Sequence, residues 1–355
     1  MFAYETHDVG VVFGPGALPS LPDVLRRIGV RRVLVLSTPG RAAERATVTE
    51  VLGEACAGVF ARAVVHVPSD VVQAAVVEST RCDADSVLAF GGGSAIGLAK
   101  AMALETRLPV IAIPTTYSGS EMTAVWGITE SGAKRTGRDR RVAPRAVIYE
   151  PALTVTLPAE ASAASGMNAI AHCVEALYAV DGNPVASLLA EAGLRTLARS
   201  LPEVVRDPAN LEARGDAFLG SHFAGRALDL TSMGLHHQLC HVLGGTFGLP
   251  HGLTHAALLP YVVAYNALAA PTAMRTVADA LGSTNAWTGL SALNRALGIT
   301  RTLADLGLGE EDLDRAAELA TQSVYPNPRA VTRAGVRAVL TAAFAGEPPT
   351  PIEDR

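Results

Sequence analysis

Lysine is nearly absent from this 355-residue chain. Of its 29 cations, 27 are arginine, and the two lysines stand at positions 100 and 134. Positive charge is not in excess either, because 34 acidic residues leave a formal net charge of −5. Without a basic field the chain has little with which to hold nucleic acid or an anionic membrane. Cysteine is scarce: Cys56, Cys82, Cys173 and Cys240 lie far apart and form no CxxC pair. That disfavours a disulfide-stapled secreted domain and a structural zinc knuckle. Long apolar runs are missing too. The most apolar stretch, AALLPYVVAYNALAAP, is broken by Pro260 and Asn266 and is short of the roughly 20 residues that a membrane helix needs. The opening MFAYETHDVGVVF carries acids where a secretory leader needs bases. These absences lead us to expect a cytoplasmic protein with no nucleic-acid or membrane partner.

Apolar residues make up 49% of the chain and charged residues 18%, which suits a large buried core and two domains. Short β-branched runs, RRVLVLST (31–38), GVFARAVVHV (58–67), DSVLAFGGG (85–93) and LPVIAIPTT (108–116), alternate with helix-period stretches at 17–28, 40–55, 70–82 and 94–104. Strand and helix at this spacing read as βαβ units on a parallel sheet buried on both faces. Residues 123–150 turn polar and Gly-rich with strand-like ends, which suits a cation-bearing β-hairpin. From about 156 the pattern is helical almost to the end, punctuated at DGNP (181–184), RDPAN (206–210) and Gly298. The expected fold class is α/β: a Rossmann-like parallel-sheet domain at 1–155, then an all-helical domain at 156–355. A cleft between two such domains is where a ligand site is expected.

Two polar turns follow predicted strands. Gly91, Gly92, Gly93 and Ser94 separate a buried run from a helix, so the backbone can approach a ligand and the helix can offer its first N–H groups to a phosphate. The spacing is neither GxGxxG nor a Walker A loop, and a tight strand–helix turn without ligand is the plain alternative. PTTYSGSE (114–121) adds the hydroxyls of Thr115, Thr116, Ser118 and Ser120. Two such turns at neighbouring strand ends favour a dinucleotide.

Seven of the nine histidines fall between 172 and 255. Asn168 and His172 are four apart in one helical stretch, as are His237 and His241, so each pair shares a helix face. His236 points elsewhere, about 100° round. His251 follows Pro250, and His255 comes four residues later. A single helical histidine is usually a satisfied polar group. Two spaced pairs and a third histidine beyond a Gly-Gly break suggest metal binding, proton donation or hydrogen bonding to a carboxylate or enolate.

GGGSAIGLAK, PTTYSGSE and HHQLCHVLGGTFGLPH resemble the signatures of the iron-containing alcohol dehydrogenase superfamily. Within it, VVFGPGAL (11–18), PTTYSGSEMT (114–123), GAKRTGRD (132–139), SGMNAIAHCVEALY (165–178), MGLHHQLCHVLGGTFGLPH (233–251) and YPNPR (325–329) resemble the maleylacetate reductase branch. The resemblance spans about residues 7–345 and implies a dehydroquinate synthase-like fold. It implies that Gly91, Gly92, Gly93 and Ser94 take the pyrophosphate of NADH or NADPH, with Thr115, Thr116 and Ser120 lining the dinucleotide. The family's three metal-binding histidines fall on His172, His237 and His251, and its metal-binding Asp falls on Asn168. His241 matches an imidazole beside substrate and nicotinamide.

Departures from the pattern shape the expected chemistry. With Asn168 neutral, no anionic ligand balances a divalent cation, so no metal is expected. Gly97 replaces an acid that metal-dependent members carry, and GLTH (252–255) stands where Ala-Glu-Thr-His is usual in the branch. The reaction implied is reduction of the alkene of maleylacetate to 3-oxoadipate in aromatic-compound degradation. His172, His237, His241 and His251 are the expected catalytic groups. Lys134, Arg135, His255 and Asn168 are the expected contacts to a small dicarboxylate. Ser37, after the second strand, is expected beside the ribose, where the absence of an acid lets NADPH serve as well as NADH. A homodimer is expected. Rival readings are a sibling reductase acting on another enone, keto acid or aldehyde, a metal-dependent alcohol dehydrogenase, and a catalytically silent nucleotide sensor. The intact histidine set argues against the last, and the two lone lysines argue against the Lys-rich site of the dehydroquinate synthases.

Overall fold

The computed structural model describes residues 2–130 and 133–351, with the side chains at 133 and 134 outside the described set. The chain forms two compact units, the first made of Thr6–Leu157 together with Ala209–Phe218. Its centre is a six-stranded sheet of β1 (Gly10–Phe13), β2 (Val33–Leu36), β3 (Cys56–Phe60), β4 (Ser86–Gly91), β5 (Val110–Pro114) and β8 (Ala146–Tyr149). All its pairings are parallel, in the order β1-β8-β5-β4-β2-β3. The connections run through α1 (Leu21–Ile28), α2 (Ala42–Leu52), α3 (Ser69–Arg81) and α4 (Gly93–Thr106). Alternation along each strand divides it between two cores. Leu34, Leu36, Val87 and Ala89 join α3 and α4, while Val33, Val35, Leu88 and Phe90 join α1 and α2.

Two expectations about this unit need correction. The run 58–67 yields a strand only over Cys56–Phe60, because the chain then turns and His66 and Val67 adopt positive φ. AVIY at 146–149 is no hairpin end but a sixth parallel strand between β1 and β5. The hairpin proper is β6 (Val125–Glu130) and β7 (Ala133–Arg138), paired antiparallel.

A set of buried polar groups supports the second polar turn. Lys100, only 2% exposed, donates from Nζ to the carbonyls of Ser120 (2.6 Å) and Val125 (2.9 Å) and to Thr123 Oγ1 (2.9 Å). One lysine of α4 therefore ties down the segment that follows β5. Glu121 is fully buried, and its Oε1 accepts a bond of 2.8 Å from the Tyr149 hydroxyl while Oε2 has no partner. Residues 209–218 belong here because of their side chains. Phe218 packs edge-on against Tyr117 and Tyr149, each 5.2 Å between centroids, and buried Arg214 donates to the Tyr117 hydroxyl at 2.8 Å.

The second unit holds Pro158–Pro208 and the chain from Leu219 onward, with the short N-terminal stretch. Its helices are α5 (Ala159–Tyr178), α6 (Pro184–Arg206), the later part of α7 (Leu211–Asp229), α8 (Leu235–Phe247), α9 (His251–Asn266), α10 (Pro271–Ala280), α11 (Ala286–Ala296), α12 (Leu313–Thr321) and α13 (Arg333–Ala345). The turns read from the sequence act as caps. Asn183 Oδ1 accepts from the Ala186 N–H and Asn210 Oδ1 from that of Ala213, both at 3.0 Å, and Gly298 follows α11 at φ +72°. Among the described residues no helix is long and apolar enough to cross a membrane.

Burial pushes the Glu121 carboxyl up to about 7, against smaller opposing effects of backbone and Tyr149 hydrogen bonds and the charge of Lys100. The folded state therefore holds this proton more tightly than the unfolded chain. Its stabilising effect is complete below the ordinary carboxylate range and is lost as pH rises through about 7. The full effect is on the order of 3 kcal/mol. Glu121→Gln should flatten the fall in thermal midpoint between pH 5 and pH 8. Identical slopes for wild type and variant would rule this account out.

Candidate active site

Two groups of candidate residues are built, one in each unit. In the first, Gly91 ends β4 at φ +147°, a backbone state open mainly to glycine. A Cβ on Gly92 would lie 2.7 Å from Thr116 Cγ2. Only a residue without a side chain lets the two turns come together, and the Thr115 N–H reaches the Gly91 carbonyl at 3.0 Å. Helix α4 then opens at Gly93 with no side-chain cap, leaving first-turn donors and a positive dipole end for an anion. The Ser118 and Ser120 hydroxyls are buried without partners in the adjoining turn. Gly93, Ser94, Thr115 and Thr116 complete a rim at the ends of two paired strands, a shape and donor set that suit a dinucleotide.

Ser37 is buried just beyond β2 and accepts a 3.0 Å bond from Arg45 Nη1, which also donates to the Thr38 carbonyl at 3.3 Å. Arg41, four residues beyond Ser37, is held by Glu44, the Leu153 carbonyl and Thr156. Arg45 was missed because it lies eight residues past Ser37, a turn into α2. On the hairpin, Arg135 is exposed and faces Glu130 at 3.4 Å. The Lys134 side chain lies outside the described residues.

The second group is an imidazole cluster on α5, α8 and α9. Asn168, His172 and Glu175 lie at i, i+4 and i+7 and form one stripe along α5. His172 and His237 stack at 4.9 Å with 23° between their planes, and His241 stands one turn beyond His237 at 6.3 Å. His236 is turned into the core, as its position beside His237 required, and donates or accepts at 2.8 Å with His255 Nδ1. His255 in turn meets His251 at 3.2 Å between Nε2 atoms. Both nitrogens of His255 are thus engaged by other imidazoles. Fully buried, it stands between His251 and His236.

Glu175 escaped the sequence reading. It is fully buried and accepts four bonds: from His237 Nδ1 at 2.6 Å, the Gly234 N–H at 3.2 Å, the His236 N–H at 3.0 Å and the Tyr178 hydroxyl at 3.1 Å. Burial alone would raise its pKa, but the charge and hydrogen bond of His237, the charge of His236 and the Gly234 N–H together hold it below the usual carboxylate value. Its spacing of three from His172, inside an otherwise apolar run, was the available signal. Burial and the charges of His237 and His251 push His172 well below the ordinary imidazole range, so it is a neutral ring. Four polar atoms of the cluster, Asn168 Oδ1, His172 Nδ1, His236 Nδ1 and His237 Nε2, are buried without a partner. Each such atom costs about 1–3 kcal/mol, and together they mark a place built to receive a ligand.

YPNPR has a structural task. Asn327 Oδ1 accepts from the Leu235 N–H at the start of α8 (3.3 Å) and from Asn266 Nδ2 (3.2 Å), and its own amide donates to Asn266 Oδ1 at 2.8 Å.

Comparison with known proteins adds to this geometry. Residues 9–151 match the family model described as iron-containing alcohol dehydrogenase, and residues 162–344 match that of the Fe-containing alcohol dehydrogenase family, C-terminal. The chain is similar to the maleylacetate reductase of Sphingobium indicum, at 48% identity over 98% of this chain and 99% of that one. It is 47% identical to the maleylacetate reductase of Burkholderia cepacia over the same shares. The crystal structure of maleylacetate reductase from Rhizobium sp. strain MTP-10005 superposes with a TM-score of 0.93, at 45% identity, covering 98% of this chain and 99% of that one.

The iron in the family's description requires a donor set, and the residues here do not fit it. At the position where the resemblance implies a carboxylate ligand stands the neutral amide of Asn168. His251 Nε2 is directed at His255. Among the described residues, the group of three His, Cys, Asp or Glu whose ligand atoms lie within 4.8 Å of one another is His236, Cys240 and His255, a closed core cluster, not His172, His237 and His251. Glu175 brings a negative charge, but behind the His237 ring rather than as a ligand. At Gly97, where the resemblance implies an acid in metal-dependent members, a Cβ would fall 2.8 Å from Val67 Cγ2. Purified protein should hold far less than one equivalent of iron or zinc by elemental analysis. Asn168→Asp should raise divalent-ion affinity by placing a charged oxygen beside His172. One tightly retained ion per wild-type chain would count against this.

Proposed function

The chain belongs to the iron-containing alcohol dehydrogenase family, and on that premise we propose that it reduces the carbon–carbon double bond of maleylacetate to give 3-oxoadipate, with NADH or NADPH as reductant. It is an oxidoreductase, and the relatives favour this substrate over another enone, keto acid or aldehyde. The observation that carries the chemistry is the buried His172 ring, whose Nδ1 has no partner, beside Asn168 on the same face of α5.

The nicotinamide, when bound, supplies a hydride. Gly91, Gly92, Gly93 and Ser94 hold the pyrophosphate, Thr115, Thr116 and Ser120 line the dinucleotide, and Ser37 with Arg45 stands at the adenosine ribose. In maleylacetate the alkene is conjugated with a ketone. A hydride that arrives at the alkene carbon β to the ketone leaves its charge on the ketone oxygen, as an enolate. His172, kept neutral by burial, donates a hydrogen bond without losing its proton, and the Asn168 amide donates a second. His241 delivers a proton to the remaining alkene carbon, and the enolate returns to a ketone. A charge delocalised in this way needs no metal. Reduction of a ketone or aldehyde would instead build a localised alkoxide, for which a Lewis acid is of more value. Lys134, Arg135 and His251 take the substrate carboxylates, with His255 bracing His251. The working assembly is proposed as a cytoplasmic homodimer, whose stoichiometry light scattering on the purified chain tests.

Anaerobic turnover of maleylacetate with each cofactor tests the function, and both should serve. Arg45→Ala should weaken NADPH while sparing NADH, since a guanidinium at Ser37 suits a 2′-phosphate. A thousandfold kcat/KM preference of wild type for NADH would contradict this assignment. His241→Ala should lower kcat by about 10²–10⁴, the usual worth of a general acid, with NADH affinity within a few fold. A stable variant that turns over maleylacetate at the wild-type rate removes His241 from the mechanism.

A further inference from the structure

We infer that Glu175 is a positioning residue for the reductase: its carboxylate fixes the hydrogen of His237 on Nδ1, so that the bare Nε2 is the nitrogen His237 presents to a ligand. A carboxylate has about four lone-pair directions. Here all four are occupied, two donors to each oxygen: Tyr178 and the His236 N–H on Oε1, the Gly234 N–H and His237 on Oε2. No direction is left for a proton on the carboxylate itself. The contact to His237 is the shortest of the four at 2.6 Å, as expected of a charge-assisted bond. The ring nitrogen must therefore be the donor. Its partner atom Nε2 is buried and has no hydrogen-bond partner.

The same carboxylate caps α8 from outside. Helix α8 starts at Gly234 with no side-chain cap of its own, and Glu175 takes the N–H groups of Gly234 and His236. A Cβ on Gly234 would lie 3.2 Å from Glu175 Oε1 and 3.0 Å from Asn327 Oδ1, so glycine here makes room for both acceptors. One group on α5 thus sets the start of α8, the rotation of His237 and which of its nitrogens is left over. His241 follows on the same face of that helix.

Selective ¹⁵N-histidine labelling reads the tautomer in the wild-type protein without substrate. The neutral His237 ring should be the Nδ1–H form, and an Nε2–H form overturns the inference. Glu175→Gln removes the carboxylate charge, and with it the charge assistance that holds the hydrogen on Nδ1. The kinetic arm rests on the maleylacetate reading. There kcat should fall about 10–100-fold, the usual cost of losing such an orienting partner, with the NADH Kd within threefold. In a His237→Ala background, Glu175→Gln should lower kcat no further, because the partner through which it acts is gone. Losses that multiply in the double variant, or a kcat that falls only in step with Tm and NADH binding, would reduce Glu175 to a helix cap and overturn the proposal. If Glu175→Gln does not fold, the wild-type tautomer still decides. If the wild type does not turn over maleylacetate, the substrate fails while the tautomer result stands.

Discussion

A fully buried carboxylate has to collect its donors from the protein itself, and Glu175 does so from three places in the helical unit. Leaving such a charge unpaired costs several kcal/mol, so the groups around it are constrained together. The opening turn of α8, the ring of His237 and the hydroxyl of Tyr178 each have one arrangement that satisfies it. Asn327 and Asn266 secure the same turn from the other side. The cluster is therefore rigid where a ligand would be held, and its unpaired atoms are confined to Asn168, His172, His236 and His237.

The sheet unit solves a related problem with backbone rather than charge. Two turns after β4 and β5 approach so closely that Gly92 has no space for a Cβ beside Thr116. Lys100 fastens the second turn by three bonds to Ser120, Thr123 and Val125. A lysine that sits in a glycine-rich signature is readily taken for a phosphate ligand. Here its ammonium is consumed inside the protein, so in the proposed function the anion meets glycine backbone and serine and threonine hydroxyls instead.

Three features of the expected metal positions act in one direction. Asn168 brings no charge, a Cβ at Gly97 would meet Val67 Cγ2, and His251 Nε2 is directed at His255. Hydrogen-bond donors in a dry cluster stabilise a delocalised enolate well. They serve a localised alkoxide less well, which is why the loss of the metal ligand and alkene reduction belong to the same chemistry.

Local periodicity and turn chemistry determined most of the architecture. Buried runs such as VLVL and SVLAFG can only be central strands of a covered sheet, and DGNP and RDPAN could only be helix boundaries. Residue spacing likewise put Asn168 with His172 and His237 with His241, since i and i+4 share a helix face whatever the surroundings. The sequence could not place what depends on neighbours distant along the chain. AVIY joined the parallel sheet because β1 and β5 offered it two edges, and residues 209–218 left the helical unit because of Tyr117 and Tyr149. Arg45 rather than the nearer Arg41 reaches Ser37, because Glu44, Leu153 and Thr156 hold Arg41. His255 reads as a substrate contact in sequence, and only the packing shows that its two nitrogens meet His251 and His236. The partner of Glu175 was beyond reach for the same reason. A carboxylate in an apolar helix shows that donors must exist, but only the packing of α5 against α8 decides that one of them is His237.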